Sequence, residues 1–174
     1  MFQELNSLKP FFESPLKDLG VREYARATKI SPATASRILK EFGKKGILKE
    51  KKERTFILYK ANLENDLYKD LKIFYNLRKI KDSGLLESLN QFYLKPTIIL
   101  FGSASKGEDI EGSDFDLVII SEKTKEFPEE KIFEKKLNRE LQLLKIKNLK
   151  DLRNEHLINN VLNGITIQGQ VQWI

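Results

Sequence analysis

The stretch TIILFGSASKGEDIEGSDFDLVII, residues 97–120, decides the reading of this chain. Thr97-Ile98-Ile99-Leu100-Phe101 is a short apolar, β-branched run, which predicts a buried strand. It ends directly in Gly102-Ser103, and a second strand is expected over Ser113–Ile120. Alternation places Asp114 and Asp116 on one face, roughly 6–7 Å apart along that strand. Phe115, Leu117 and Ile119 point the other way. Two carboxylates on one face of an otherwise apolar strand repel, and burying them unpaired is costly. A hard divalent cation resolves that conflict, because Mg²⁺ takes oxygen ligands and keeps positions for water and phosphate. Gly102 lets backbone approach a phosphate closely, and Ser103 adds a hydroxyl and an N–H. The two strands together suit a metal–triphosphate complex. The plainer reading of the same residues is an Asp-rich turn capping a strand.

These residues resemble the nucleotidyltransferase superfamily that includes polymerase beta, and more closely its minimal archaeal and bacterial members. The pattern is Gly-Ser, three variable residues, Gly, five variable residues, then Ser-Asp-x-Asp-Leu. Gly102, Ser103, Gly107, Ser113, Asp114, Asp116 and Leu117 fit it without an insertion. The resemblance implies that Asp114 and Asp116 bind catalytic Mg²⁺ (or Mn²⁺). It implies that Gly102 and Ser103 hold the β- and γ-phosphates of an NTP, with Gly107 in the same loop. Ser113 would orient the carboxylate loop, and Lys106 would neutralise phosphate where the family often has Arg. The implied chemistry is attack of a hydroxyl on the α-phosphate, with pyrophosphate leaving (EC 2.7.7 type). The chain has no Gly-Lys-Ser/Thr end of a Walker A loop and no G-x-G-x-x-G.

One departure stands out. Active members carry a third acid in an apolar-acid-apolar triplet on a later strand. The matching strand here is expected over Glu140–Ile146, and its triplet reads Leu141-Gln142-Leu143. Gln142 takes the acid's place, and a neutral amide accepts no proton. Glu140 lies on the same face two residues earlier and is the candidate substitute.

On the N-terminal side, Leu5–Phe12 is apolar-periodic, and Val21, Tyr24, Ala25 and Thr28 share a helical face. Ser31 is suited to an N-cap and Pro32 to the first helical position. The next helix is expected to stop at Gly43, with Gly46 supplying a second turn. Its outward face carries Thr34, Ser36, Arg37 and Lys40. Two strands then read over Ile47–Glu50 and Thr55–Lys60, with Lys51, Lys52, Glu53 and Arg54 as a charged turn. Helix, helix-turn-helix, hairpin is the order of a winged helix, and the segment resembles archaeal and bacterial winged-helix DNA-binding domains. Its implied partner is duplex DNA or structured RNA, contacted by Thr34, Ser36, Arg37, Lys40, Lys51, Lys52 and Arg54. A winged helix used for protein contacts is the competing reading. Asn65–Asp82 reads as a connecting helix, and Leu85–Leu94 follows as another helix.

The expected class is α+β. A winged helix-turn-helix domain spans 1–62, a connecting helix 63–83, and a nucleotidyltransferase domain with a small mixed sheet 84–174. Charge follows that plan: residues 1–83 hold 19 Lys+Arg against 11 Asp+Glu, and residues 84–174 hold 12 against 14. A basic half suits a polyanion, although a lysine-rich solvated surface looks the same. The 174 residues contain no Cys, which excludes disulfides and thiolate chemistry. One histidine, His156, excludes a multi-histidine metal site, and it reads as a helix surface residue. Phe92, Tyr93 and Trp173 read as core. No apolar run approaches a membrane span and the N-terminus is unlike a signal peptide, so a cytoplasmic protein is expected. Three functions fit: an NTP-using transferase, a nucleotide-sensing DNA-binding regulator, and an antitoxin-like partner of a separate toxin.

Overall fold

The computed structural model describes residues 2–171, so Trp173 lies outside the described residues. The chain divides into two compact units, one up to Tyr75 and one from Asn76 onward. No helix among the described residues is long and apolar enough to cross a membrane.

The first unit runs α1 (Phe2–Glu13), β1 (Leu19–Gly20), α2 (Val21–Thr28), α3 (Pro32–Lys44), β2 (Leu48–Glu53), β3 (Phe56–Ala61), then α4 (Asp66–Asp82), whose first ten residues belong to it. Its three strands pair antiparallel in the order β1-β3-β2. Leu8, Phe11, Phe12, Tyr24, Leu39, Tyr59 and Tyr68 are buried in one core. Buried phenols need partners, and here α1 supplies them. Tyr24 donates to the Ser7 carbonyl at 2.8 Å and Tyr68 to the Phe11 carbonyl at 2.9 Å.

The start of α3 is built as its sequence suggests. Ser31 Oγ accepts the Thr34 N–H at 3.1 Å, with Pro32 in the first turn. Its end differs. Gly43 does not stop the helix, which continues to Lys44, and Gly46 makes the left-handed turn at φ 71°. The hairpin is also tighter than the charge run suggests. Glu53 pairs with Phe56, so the turn is Arg54-Thr55 alone and Lys51 and Lys52 lie within β2.

The second unit adds α5 (Leu85–Tyr93), β4 (Thr97–Phe101), β5 (Phe115–Ile120), α6 (Glu130–Leu137), β6 (Leu141–Ile146), α7 (Glu155–Leu162) and β7 (Ile165–Gln168). The sheet order is β6-β5-β4-β7. β4 is antiparallel to β5 and β7, whereas β5 and β6 are parallel and joined through α6. The sheet is therefore mixed. Ile98, Leu100, Leu117 and Ile119 pack on one face with Leu89, Phe133 and Leu137. Ile99, Phe101 and Val118 pack on the other with Leu149, Leu152 and Val161. Cover on both faces explains why β4 and β5 read as nearly continuous apolar runs. Tyr93 is buried, Phe92 packs against the same core, and His156 is exposed on α7.

Candidate functional site

β4 ends at Phe101, and the chain turns at Gly102 with φ 69° and ψ −158°. That region is open essentially to glycine alone. The position is constrained a second time, because a Cβ on Gly102 would overlap the Asp116 carboxylate. Ser103–Lys106 then makes one 3₁₀ turn, closed by Ser105 Oγ donating to the Gly102 carbonyl at 2.8 Å. Ser103 is half-buried just after the corner, Lys106 is exposed at the far end of the turn, and Gly107 caps it at φ 68°.

Register lines up the rest. Phe101 pairs with Asp116 across β4 and β5, and Asp116 pairs with Gln142 across β5 and β6. Gly102, Asp116 and Gln142 thus share one end of the sheet. Asp114 lies in the loop before β5 rather than within the strand, because the strand begins at Phe115. Ser113 delivers it: its Oγ accepts the Ile110 N–H at 3.0 Å and its own N–H donates to the Ile110 carbonyl at 3.1 Å. Glu140 likewise precedes β6, and its carbonyl accepts the Phe115 N–H at 2.9 Å. An open cavity of about 380 Å³ borders this loop, lined by Ser113, Arg139 and Glu140 among others.

Burial pushes the Asp116 carboxyl above its usual range, and the nearby Asp114 charge adds to the rise. Among the described residues no group of three or more acid, His or Cys side chains surrounds this point. The donor set is two mutually repelling carboxylates, with the neutral Gln142 amide beside one of them. That set fits a hard cation that keeps waters and phosphate oxygens in its remaining positions.

Sequence reasoning missed a buried network behind the loop. Asp109 is fully buried. Its Oδ2 lies 2.7 Å from Arg139 Nη2, and its Oδ1 accepts from Asn76 Nδ2 at 2.8 Å. Asn76 also donates to the Ala104 carbonyl at 3.1 Å, and Arg139 Nη1 to the Ser113 carbonyl at 3.4 Å. The Arg139 guanidinium sits 5.0 Å from the Phe115 ring centre. Both shoulders of the 102–114 loop are therefore tied to one ion pair. No local pattern announces it, since Asp109 falls among the variable positions of the motif.

Residues 82–163 match the family model of the nucleotidyltransferase domain. The second unit carries a nucleotidyltransferase-family domain. The match spans the Gly102 corner, Asp114, Asp116 and Gln142, and stops before β7. None of the curated proteins matches the chain.

The residues expected to meet nucleic acid belong to the first unit. Arg37 and Lys40 are exposed on α3. Thr34 and Ser36 are half-buried, and Thr34 Oγ1 is engaged with Ser31 Oγ at 2.9 Å. Lys51 pairs with Glu53 at 2.7 Å, while Lys52 and Arg54 are, respectively, exposed and exposed at the hairpin turn.

Two outcomes follow for the nucleotidyltransferase domain. The folded state raises the Asp116 pKa above its ordinary 3.8. Below the unfolded value both states are protonated and no penalty exists. The penalty builds as pH rises through the folded value and persists at neutral pH. Metal-free Asp116→Asn will therefore melt above wild type at pH 7, with the gap closing below about pH 4. Mg²⁺ will raise the wild-type melting temperature only. Separately, Arg139→Met will destabilise the domain by about 3 kcal/mol in urea titrations. Adding Asp109→Asn to it will recover part of that loss.

Proposed function

We propose that the chain is a metal-dependent nucleotidyltransferase that moves a nucleotide from an NTP to an acceptor, with a winged helix-turn-helix unit that binds duplex DNA. The observation that carries the first part is the Asp116 carboxylate: it is pressed against the Gly102 corner, half-buried, and opposed by Asp114. Asp114 and Asp116 would hold Mg²⁺ or Mn²⁺. Such an ion stabilises the charge on the entering and leaving oxygens of an in-line displacement at phosphorus. The Gly102-Ser103 backbone, held open by its left-handed corner, would receive the triphosphate, with the Ser103 hydroxyl as a further donor. Lys106 would meet outer phosphate charge from the exposed end of the turn. The Asp109–Arg139 pair keeps that loop in place.

Gln142 supports a second reading. It stands beside Asp116 in register and can accept hydrogen bonds but no proton. Deprotonation of an acceptor hydroxyl then falls to another group, with Glu140, just before β6, as the candidate. If none serves, the domain binds metal and NTP as a sensor and modulates the DNA affinity of the first unit.

The reading of the first unit rests on its helix-turn-helix order, its antiparallel β1-β3-β2 sheet, and the exposed Arg37 and Lys40 on α3.

Labelled NTPs with Mg²⁺ or Mn²⁺ and candidate acceptors will show label transfer and pyrophosphate release. Asp114→Ala with Asp116→Ala will lower both by more than about 100-fold. NTP-dependent DNA affinity without pyrophosphate release would instead establish the sensor. In anisotropy titrations of a duplex, Arg37→Glu with Lys40→Glu will weaken binding and flatten its salt dependence. Unchanged affinity in that variant would remove the DNA-binding assignment of α3.

A further inference from the structure

The family-model match begins at residue 82, but one side chain bonded to the loop after the Gly102 corner comes from before it. Asn76 lies on α4 and is the first residue of the second unit. Only 1 % of it is exposed. Its Nδ2 donates to the Ala104 carbonyl at 3.1 Å and to Asp109 Oδ1 at 2.8 Å. Both amide hydrogens are thus spent on the segment that follows Gly102. The amide oxygen has no hydrogen-bond partner among the described residues. A buried acceptor left unmatched is costly. An apolar side chain filling the same space would avoid that cost. The cost points to the two donors as the reason for an amide at this position.

The turn itself shows what those donors do. Three successive carbonyls, of Gly102, Ser103 and Ala104, are each bonded. Gly102 accepts from Ser105 Oγ at 2.8 Å and Ser103 from the Glu108 N–H at 3.0 Å. Those two are closed by residues of the loop. The third is closed by Asn76, 28 residues earlier in the chain. A peptide is planar and trans, so a carbonyl held in one direction sends the next N–H the opposite way. Holding the Ala104 oxygen therefore fixes the direction of the Ser105 N–H. It also keeps one carbonyl dipole from swinging toward an incoming triphosphate, which it would repel.

We propose that Asn76 is a positioning residue for the nucleotide, setting NTP affinity through the Ala104 carbonyl and Asp109. The inference rests on the nucleotidyltransferase reading of the second unit, and it places part of the substrate machinery on a helix outside the matched residues. In that reading the loop after Gly102 holds the same phosphates before and during transfer. Contacts made equally in both states set KM rather than kcat.

Three measurements on the full chain decide it: calorimetric titration with each NTP and Mg²⁺, KM and kcat from pyrophosphate release, and melting temperature. Asn76→Ala removes both donors. Asn76→Ser keeps one short hydroxyl and carries the test if the alanine variant does not fold. Ser83→Ala is the control for general loosening of the same unit. The buried Ser83 Oγ donates to the Ile80 carbonyl at 2.6 Å and accepts the Leu85 N–H at 3.1 Å. Asn76→Ala should raise Kd and KM for the NTP by at least about tenfold, with kcat changing by less than about threefold. Asn76→Ser should fall between it and wild type. Ser83→Ala should melt lower with wild-type Kd and KM, a split that a merely structural Asn76 would not produce. The calorimetric Kd reads the same effect if the domain binds NTP without turning it over. Wild-type Kd and KM in folded Asn76 variants, a loss confined to kcat, or an equal rise in Ser83→Ala would overturn the proposal and leave the transferase reading standing. Loss of folding in both Asn76 variants would make the residue structural alone and likewise overturn it. If wild type binds no NTP, the transferase reading falls and takes the proposal with it.

Discussion

A carboxylate placed at the end of a sheet that is covered on both faces has little water to share its charge. Asp116 is in that position, and the second unit is arranged around its consequences. The residue across β4 must leave room, which is why the corner at Gly102 has no side chain. The neighbour before β5, Asp114, makes the local repulsion worse rather than better. Unpaired charge in such a place is tolerated only where something else gains by it. A bound cation is the simplest gain, and nucleotidyltransferase-family membership of residues 82–163 agrees with it.

Holding two acids near one another requires a loop that does not relax. The Asp109–Arg139 pair supplies that stiffness from below, reaching Ala104 through Asn76 on one side and Ser113 on the other. A buried ion pair is seldom a large source of net stability, since desolvation offsets most of its attraction. Its value here is positional. One ion pair fixes both ends of the segment that carries Ser103, Lys106 and Asp114.

Much of this was legible from residues 97–120 alone. β4 has the bounds its apolar run predicts, and α2 ends where its periodicity ends. The resemblance put Gln142 in the third acid's place without giving a strand direction, and the register shows the parallel pairing that sets it beside Asp116. Boundaries were less readable. Ser113 and Asp114 alternate like strand residues, yet hydrogen bonding to Ile110 takes them into a turn. Gly43 carries the mark of a helix stop, but α3 runs through it to Lys44 and the left-handed turn falls at Gly46. The charges of residues 51–54 suggest a loop, and pairing with β3 overrides them for Lys51 and Lys52. The Asp109–Arg139–Asn76 network joins residues far apart in the chain, and no periodicity reports such an arrangement.

The strand order has a bearing on synthesis. β7, formed by Ile165–Gln168, pairs with β4 and lies at the far edge from β6. β4 therefore waits for its outer neighbour until more than sixty further residues have been translated, a matter of several seconds at roughly 5–20 residues per second. The core of the first unit draws only on residues up to Tyr75 and has no such wait. On the ribosome the basic unit can be complete while the strand that ends at the Gly102 corner still has a bare edge, and that interval is when the growing chain is most open to chaperones or to pairing with a foreign strand.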